Sequence, residues 1–186
     1  MEFKTRNYET DVLVLGSGAS GCGAAITAAR AGVSVLMVDK GHVESSGCLG
    51  GGNDHFMAVL DEVEHDCFDD MIKYYVTPTS GLSRGVVHNW YRAMKPALET
   101  LEEAEVELMH NEDGTYMRSI GFGQPGPWWI HINHGFTVKP KLTKYIKALG
   151  VKIVNNFMVA ALLKDGDRIA GCVGFDVLKG DFIIVR

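Results

Sequence analysis

Six residues near the N-terminus have the types and spacing needed to bind phosphate. Residues 16–21, Gly-Ser-Gly-Ala-Ser-Gly, match the pattern G-x-G-x-x-G. In this pattern Gly16 permits a tight turn, Gly18 lets the backbone approach a pyrophosphate, and Gly21 allows a helix and a strand to pack closely. A helix that begins here would also offer unpaired N–H groups and the positive end of its dipole to an anion.

Because glycine is common in the chain, the pattern alone is weak evidence for phosphate binding. The segments on either side of it provide the stronger evidence. Residues 11–15 are a short apolar run that predicts a strand, and residues 20–31 have the alanine-rich composition of a helix. Residues 33–38 restore β-branched and apolar side chains and predict a second strand, which ends at Asp39. This order of strand, helix and strand predicts a βαβ unit. In such a unit the glycine-rich turn binds a dinucleotide, so we prefer this interpretation to a glycine-rich turn without a ligand.

Asp39 and the loop after it indicate which dinucleotide binds. The carboxylate can accept hydrogen bonds from both ribose hydroxyls and would repel a 2′-phosphate, which favours FAD or NAD over NADP. Residues 40–53 are rich in glycine and serine and cannot form a packed core, so they predict a loop over the cofactor. An NAD domain usually continues into another βαβ crossover, whereas residues 47–53 offer mostly backbone, suited to a flavin. FAD is therefore favoured, while an NAD-dependent dehydrogenase domain and a non-catalytic nucleotide-binding or assembly module remain alternatives.

The rest of the chain predicts an inserted segment and a return to the first sheet. Residues 61–107 suggest two or three amphipathic helices, residues 139–149 another helix, and residues 151–154 a third parallel strand. An antiparallel three-stranded meander follows, with strands within 159–163, 169–177 and 182–185. The predicted fold is an α/β, Rossmann-like FAD-binding domain. Its core comprises 1–60 and 136–186, and 61–135 form a mainly helical and irregular insertion.

Composition excludes several classes of partner. The net charge of −5 and the scattered Lys and Arg residues argue against nucleic acid. Four cysteines without a C-x-x-C pair favour a reducing, cytoplasmic location, and the polar residues 1–10 do not resemble a secretory signal. The chain has no apolar run of about 20 residues, so no direct membrane insertion is expected.

Other candidate sites are weaker. His131 and His134 are three apart and would point to opposite faces of a strand, so we predict no metal site. His55 lies near the predicted flavin loop, but an ordinary hydrogen-bonded loop histidine is the simpler interpretation. Trp128 and Trp129 are adjacent on a predicted strand, so at most one of them can stack on a flavin.

The sequence resembles a known family of flavoproteins, those of fumarate reductase, succinate dehydrogenase and adenylylsulfate reductase, and adenylylsulfate reductase α is the most similar branch. The resemblance rests on residues 8–21, 38–40, 45–52 and 171–176, and on residues 129–135 leading to Lys139. It implies that the glycine loop holds the pyrophosphate, that Asp39 and Lys40 flank the adenosine ribose, and that Val159 offers backbone contacts to adenine. Gly47 stands where succinate dehydrogenases carry the histidine that binds FAD covalently, so the resemblance implies non-covalent FAD.

We therefore expect a defined set of cofactor contacts and leave the catalytic residues unknown. The predicted cofactor-binding residues are Gly16, Ser17, Gly18, Ala19, Ser20, Gly21, Asp39, Lys40, Gly41, Ser46, Gly47, Gly51, Gly52, Asn53 and Val159. The resemblance further implies a small anionic substrate (fumarate, succinate or adenylylsulfate) and an iron–sulfur electron-transfer subunit. In that family a capping domain with the catalytic arginine and histidine follows the meander. Because the sequence stops at Arg186, we expect a fragment, a truncated form or a short relative, which would expose apolar surface and self-associate.

Overall fold

The structure, a computed structural model, describes residues 4–186. They form two compact units: one comprises the residues up to Gly52 together with Lys139–Arg186, and the other comprises Asn53–Val138. The strands are β1 Thr5–Tyr8, β2 Val12–Leu15, β3 Val35–Val38, β4 His55–Met57, β5 Arg118–Ser119, β6 Trp129–His131, β7 Lys152–Val154, β8 Phe157–Asp165, β9 Arg168–Asp176 and β10 Phe182–Val185. The α-helices are α1 Ala19–Arg30, α2 Phe68–Tyr75, α3 Arg84–Glu103 and α4 Val138–Ala148, with short 3-10 turns at Cys48–Gly51 and Gly135–Thr137.

The first unit contains the predicted parallel sheet, with strand order β2-β3-β7. Helix α1 connects β2 to β3, and its small side chains let it bury Cys22, Ala25 and Ile26. β3 is buried along its whole length, as expected for the central strand of a parallel sheet covered on both faces. The Rossmann-like fold class predicted from the sequence is confirmed.

A second sheet in the same unit contains the predicted meander of β8, β9 and β10. It also contains β1, which pairs parallel with β10. The polar sequence Thr-Arg-Asn-Tyr of β1 does not predict a strand. In the structure, only alternate residues of this strand are partly buried. An ion pair between Arg6 Nη2 and Asp176 Oδ2 at 2.5 Å also links β1 to the end of β9.

One apolar cluster joins the parallel sheet to the meander. Its members come from both sheets, and they are Leu36, Val38, Val154, Phe157, Cys172, Ile183 and Val185. The cluster includes the end of β3 and the start of β8, and it therefore fixes the strand ends where a ligand of this fold class would lie.

The second unit is built from helices and a small sheet. Helix α2 packs against α3, and the antiparallel sheet has the order β4-β6-β5. Two helices agree with the sequence-based expectation, and β6 lies where a strand was predicted at Trp128 and Trp129. The other two strands, β4 and β5, were not predicted, because they are only three and two residues long. Within residues 4–186, the helices are all too short or too polar to cross a lipid bilayer.

Candidate functional site

A cavity of about 720 Å³ opens at the carboxyl ends of β2 and β3 in the first unit. Its walls are formed by the glycine loop, the loop after β3 and the start of β8. The lining residues are Leu15, Gly16, Ser17, Gly18, Val38, Asp39, Lys40, Gly41, Ser46, Gly47, Phe157, Met158 and Val159. In open parallel sheets, ligands bind outside the carboxyl ends of the strands, so the cavity lies where this architecture places a nucleotide.

The glycine loop presents backbone donors to this cavity. Gly16 has a φ of +94°, which a residue with a side chain rarely adopts, and it turns the chain from β2 towards α1. Gly18 is the N-cap of α1, and no side chain caps the helix there. The first N–H groups of α1 therefore have no acceptor within the helix and can bind an anion.

Two glycines, one in each glycine-rich loop, are required by close contacts. A Cβ on Gly21 would lie 2.0 Å from the carbonyl oxygen of Gly16, so only glycine lets α1 begin so close to β2. A Cβ on Gly47 would lie 2.8 Å from the Cα of Gly18, and Gly47 has a φ of +74°. The two glycine-rich loops therefore approach each other backbone to backbone at Gly18 and Gly47.

Asp39 connects both loops through four hydrogen bonds. Ser17 donates its N–H and its hydroxyl to Oδ2, each at 2.7 Å. Oδ1 accepts from the N–H of Gly41 at 2.8 Å and from the hydroxyl of Ser46 at 2.7 Å. Burial raises the pKa of this carboxyl, but the four hydrogen bonds outweigh burial and lower the pKa to about 2. Asp39 is therefore a carboxylate at every physiological pH.

These four bonds use the acceptor positions that a ribose would need. The hydroxyl of Ser46 also lies 2.9 Å from the carbonyl oxygen of His42, and one hydroxyl proton cannot serve both acceptors at once. Ser46 can therefore release Asp39 to a ribose hydroxyl and keep a hydrogen bond. The bonds from Ser17 and Gly41 hold the carboxylate in place meanwhile.

The third wall comes from the start of β8. The N–H of Phe157 donates to the carbonyl oxygen of Asp39, and the N–H of Asn156 to that of Gly41, both at 2.8 Å. These bonds place Met158 and Val159 beside the carboxyl end of β3. Val159 was predicted from the sequence, whereas Phe157 and Met158 were not. Their position at the start of β8, directly before Val159, was the available signal.

The structure brings together nine of the fifteen predicted cofactor-binding residues. They are Gly16, Ser17, Gly18, Asp39, Lys40, Gly41, Ser46, Gly47 and Val159. The remaining six do not line the cavity. Ala19, Ser20 and Gly21 form the first turn of α1, Gly51 and Gly52 end the loop, and Asn53 belongs to the second unit. Leu15 and Val38, the last residues of their strands, line the cavity and were not predicted.

The cavity suits a dinucleotide on three structural grounds. Its glycine loop leaves helix N–H groups open to a pyrophosphate, the Gly18 and Gly47 backbones leave no side chain between the loops, and Asp39 stays ionised for a ribose. The mainly apolar wall of Phe157, Met158 and Val159 is suited to an adenine ring.

The histidine and tryptophan candidates all lie in the second unit. The rings of His55 and His131 are 4.7 Å apart, whereas His134 Nδ1 lies 3.2 Å from Glu107 Oε2. No group of three or more His, Cys, Asp or Glu residues that could hold a metal ion occurs in the part of the chain that the structure describes. Trp128 is fully buried and donates to the carbonyl oxygen of His65 at 2.8 Å, while Trp129 is half-buried.

Comparisons with known proteins agree with the geometry. The sequence profile of the FAD binding domain family matches residues 11–180. A CoM/CoB-type fumarate reductase chain of Methanothermobacter marburgensis is 42% identical over 197 residues, covering 96% of this chain and 34% of that protein. The structure of adenylylsulfate reductase from Archaeoglobus fulgidus has a TM-score of 0.83 at 30% identity, covering all of this chain and 30% of that one.

A more distant structure supports the fold alone. A variant of FrdA from the E. coli quinol fumarate reductase has a TM-score of 0.80 at 17% identity, covering 97% of this chain and 32% of that one. The chain thus spans about a third of the length of the relatives it matches. The resemblance inferred from the sequence is confirmed, and with it FAD as the cofactor.

Proposed function

This chain belongs to the FAD-binding domain family, and from that premise we propose that it carries the non-covalent FAD site of an oxidoreductase of the fumarate reductase and adenylylsulfate reductase type. The observation that carries the proposal is the cavity at the ends of β2 and β3, where the N-terminus of α1 without a side-chain cap and the ionised Asp39 both flank the glycine loop. When bound, FAD would supply two-electron redox chemistry.

The first task of the chain is to hold the cofactor's pyrophosphate. The N–H groups at Gly18, Ala19 and Ser20 begin α1, and the helix dipole adds to their attraction for an anion. Gly18 and Gly47 present backbone only, so the phosphates can approach both loops closely. We infer that Gly41, Gly51, Gly52 and Asn53 complete the contacts further along the cofactor.

The second task is to orient the adenosine. Asp39 would accept the ribose hydroxyls once Ser46 turns to the carbonyl oxygen of His42, and its charge would exclude a 2′-phosphate. Val159 would meet the adenine through its backbone, beside the side chain of Met158. Lys40, also in the cavity wall, would lie at the outer side of the ribose.

The finer part of the proposal concerns substrate and partner. A small anionic substrate and an iron–sulfur partner protein that takes up or supplies electrons suit a chain whose similar proteins include an adenylylsulfate reductase and a fumarate reductase. Fumarate and adenylylsulfate are both candidate substrates, because the fumarate reductase relative is 42% identical over 96% of the chain and the adenylylsulfate reductase structure is 30% identical over all of it. The unpaired thiols of Cys22, Cys48, Cys67 and Cys172 suit a cytoplasmic location.

Self-association is a further part of this proposal. β2 lies at the edge of the parallel sheet, and its last residue, Leu15, is 48% exposed. Leu178, in the turn after β9, is 74% exposed. An edge strand and exposed apolar side chains each favour pairing between copies, which light scattering at increasing concentration would detect.

A binding experiment tests the central proposal. Cofactor-free protein is titrated with FAD, with NADH and with NADPH, and flavin fluorescence and absorption are followed. We expect saturable binding of FAD alone, and release of all the flavin into the supernatant after acid precipitation, since Gly47 offers no side chain for a covalent link. Binding of NADH without FAD would support an NAD-dependent dehydrogenase domain instead. FAD binding without reduction by any dye-linked substrate, tested in the assembled complex, would support a non-catalytic module.

A further inference from the structure

Lys139, at the start of α4, has an environment that the site described above does not explain. Among residues 4–186 it is the only lysine or arginine that is buried as a whole residue, with 1% exposure. Its Nζ donates to the carbonyl oxygen of Ser17 and lies 3.4 Å from the Sγ of Cys22. Neither acceptor is a carboxylate, so Lys139 makes no direct ion pair through these two contacts.

The position of Lys139 relates it to the phosphate-binding loop. Ser17 is the second residue of that loop; its carbonyl oxygen faces Lys139, while its N–H and hydroxyl face Asp39. Cys22, the second acceptor, lies in the first turns of α1 and also donates to the Ser17 carbonyl at 3.4 Å. The buried cation therefore lies behind the loop, on the opposite side of Ser17 from the carboxylate.

Lys139 adds a buried positive charge to the loop, besides the exposed Lys40 in the cavity wall. Burying a cation among neutral groups destabilises a protein unless a negative charge offsets the loss of hydration. Asp39, which is ionised, repels a phosphate group at the same loop, and the diphosphate of FAD brings two more negative charges. The ammonium of Lys139 attracts the phosphates and so opposes the repulsion from Asp39 and between the phosphates. Because Lys139 and Ser17 are both buried, little water screens this attraction.

We propose that Lys139 is a positioning residue for the cofactor: from behind the loop it supplies the positive charge that balances the diphosphate, and it holds the Ser17 carbonyl oxygen away from the phosphates. The inference rests on the proposed placement of FAD in this cavity. It makes the affinity for FAD depend on the charge of a side chain that does not touch FAD.

Two substitutions and one control test this role. Lys139→Met removes charge and hydrogen bonding at similar length, and Lys139→Gln removes the charge but retains a donor for Ser17. Lys147→Met, at an exposed position near the end of the same helix, is the control. FAD, ADP and adenosine affinities are measured by titration, and thermal unfolding is measured on cofactor-free protein.

We expect both Lys139 variants to bind FAD and ADP about tenfold or more weakly, with adenosine affinity unchanged. The unfolding temperature without FAD should stay equal or rise, because a buried charge without a carboxylate partner has been removed. Lys147→Met should match wild type. The proposal would be overturned if Lys139→Gln restored the affinity for FAD, or if neither Lys139 variant changed it. A parallel fall in stability and in the affinity for all three ligands would overturn it too. Wild-type protein that does not bind FAD would instead overturn the placement of the cofactor.

Discussion

The two glycine-rich loops of the first unit form one cavity, but different interactions fix their shapes. In the first loop the constraint is backbone packing, since Gly21 lies too close to the Gly16 carbonyl to carry a Cβ. In the second loop, similar backbone contacts at Gly47 and Gly50 are joined by hydrogen bonds to the carboxylate of Asp39. Asp39 accepts there from the Ser46 hydroxyl and from the Gly41 N–H. Steric requirements of the first kind leave a fixed spacing of glycines, whereas hydrogen bonds to one carboxylate can be made from several spacings.

The largest expected effect breaks the first loop. In Gly21→Ala the Cβ would lie 2.0 Å from a backbone oxygen, so α1 must move away from β2. We expect the free energy of unfolding to fall by about 3 kcal/mol or more, together with loss of FAD binding. Gly23→Ala, on the same helix with no atom within 4 Å of the new Cβ, is the control. It should stabilise the protein by about 0.5–1 kcal/mol. Equal denaturant midpoints for both variants would contradict the packing argument.

Removing Asp39 separates both loops from their common anchor. Its folded pKa of about 2 lies below the unfolded value of 3.8, so the carboxylate stabilises the fold by about 2 kcal/mol above pH 4. That contribution is lost as the pH falls from 4 towards 2. We expect Asp39→Ala to lower the free energy of unfolding at neutral pH, to flatten its dependence between pH 4 and 2, and to weaken FAD by about 1–3 kcal/mol. Wild-type pH dependence in the variant would exclude Asp39 as the titrating group, and unchanged FAD affinity would place the adenosine elsewhere.

A methyl group on Gly18 should separate binding from folding. Gly18 has a φ of −63°, and its Cβ would meet Gly47 at an ordinary 3.8 Å, so the fold tolerates alanine. The methyl would occupy space where the pyrophosphate meets the backbone, and we expect FAD affinity to fall by about 1.4 kcal/mol, or tenfold. Gly23→Ala, at an exposed position of α1 with no atom within 4 Å of the new Cβ, is the control here as well, and it should bind FAD as wild type does. Equal FAD affinity in Gly18→Ala and wild type, measured by fluorescence quenching, would remove the first loop from the site.

The smallest expected effect sharpens the comparison. If the ribose replaces Ser46 on Asp39, Ser46→Ala should lower the stability of cofactor-free protein by about 1 kcal/mol while leaving FAD affinity within a factor of about three. The ribose would not displace the hydrogen bond from the Ser17 hydroxyl to Asp39. Ser17→Ala removes this bond, so it should lower both the stability of the cofactor-free protein and the affinity for FAD. A large loss of FAD affinity in Ser46→Ala alone would mean that Ser46 contacts the cofactor directly.

The sequence predicted the fold more completely than the residues that line the cavity, among which Leu15, Val38, Phe157 and Met158 were missed. Apolar runs and the glycine spacing identify β2, α1 and β3, because each reflects a local steric or packing requirement. β1 could not be predicted, since its four polar residues become a strand only by pairing with β10. Likewise, nothing local marks Lys139 as buried, because its partners Ser17 and Cys22 lie far away in the sequence.

The parallel pairing of β1 with β10 has a consequence for how the chain acquires its structure. β1 and its partner β10 are far apart in the sequence. The same holds for β3 and its partner β7, because β7 follows the entire second unit. Contacts between such distant segments form late, because closing long loops precedes any gain from pairing. During synthesis on the ribosome, β1 therefore emerges long before its partner exists. The cavity gains its wall from β8 only after the second unit has been synthesised, which places cofactor capture after that step.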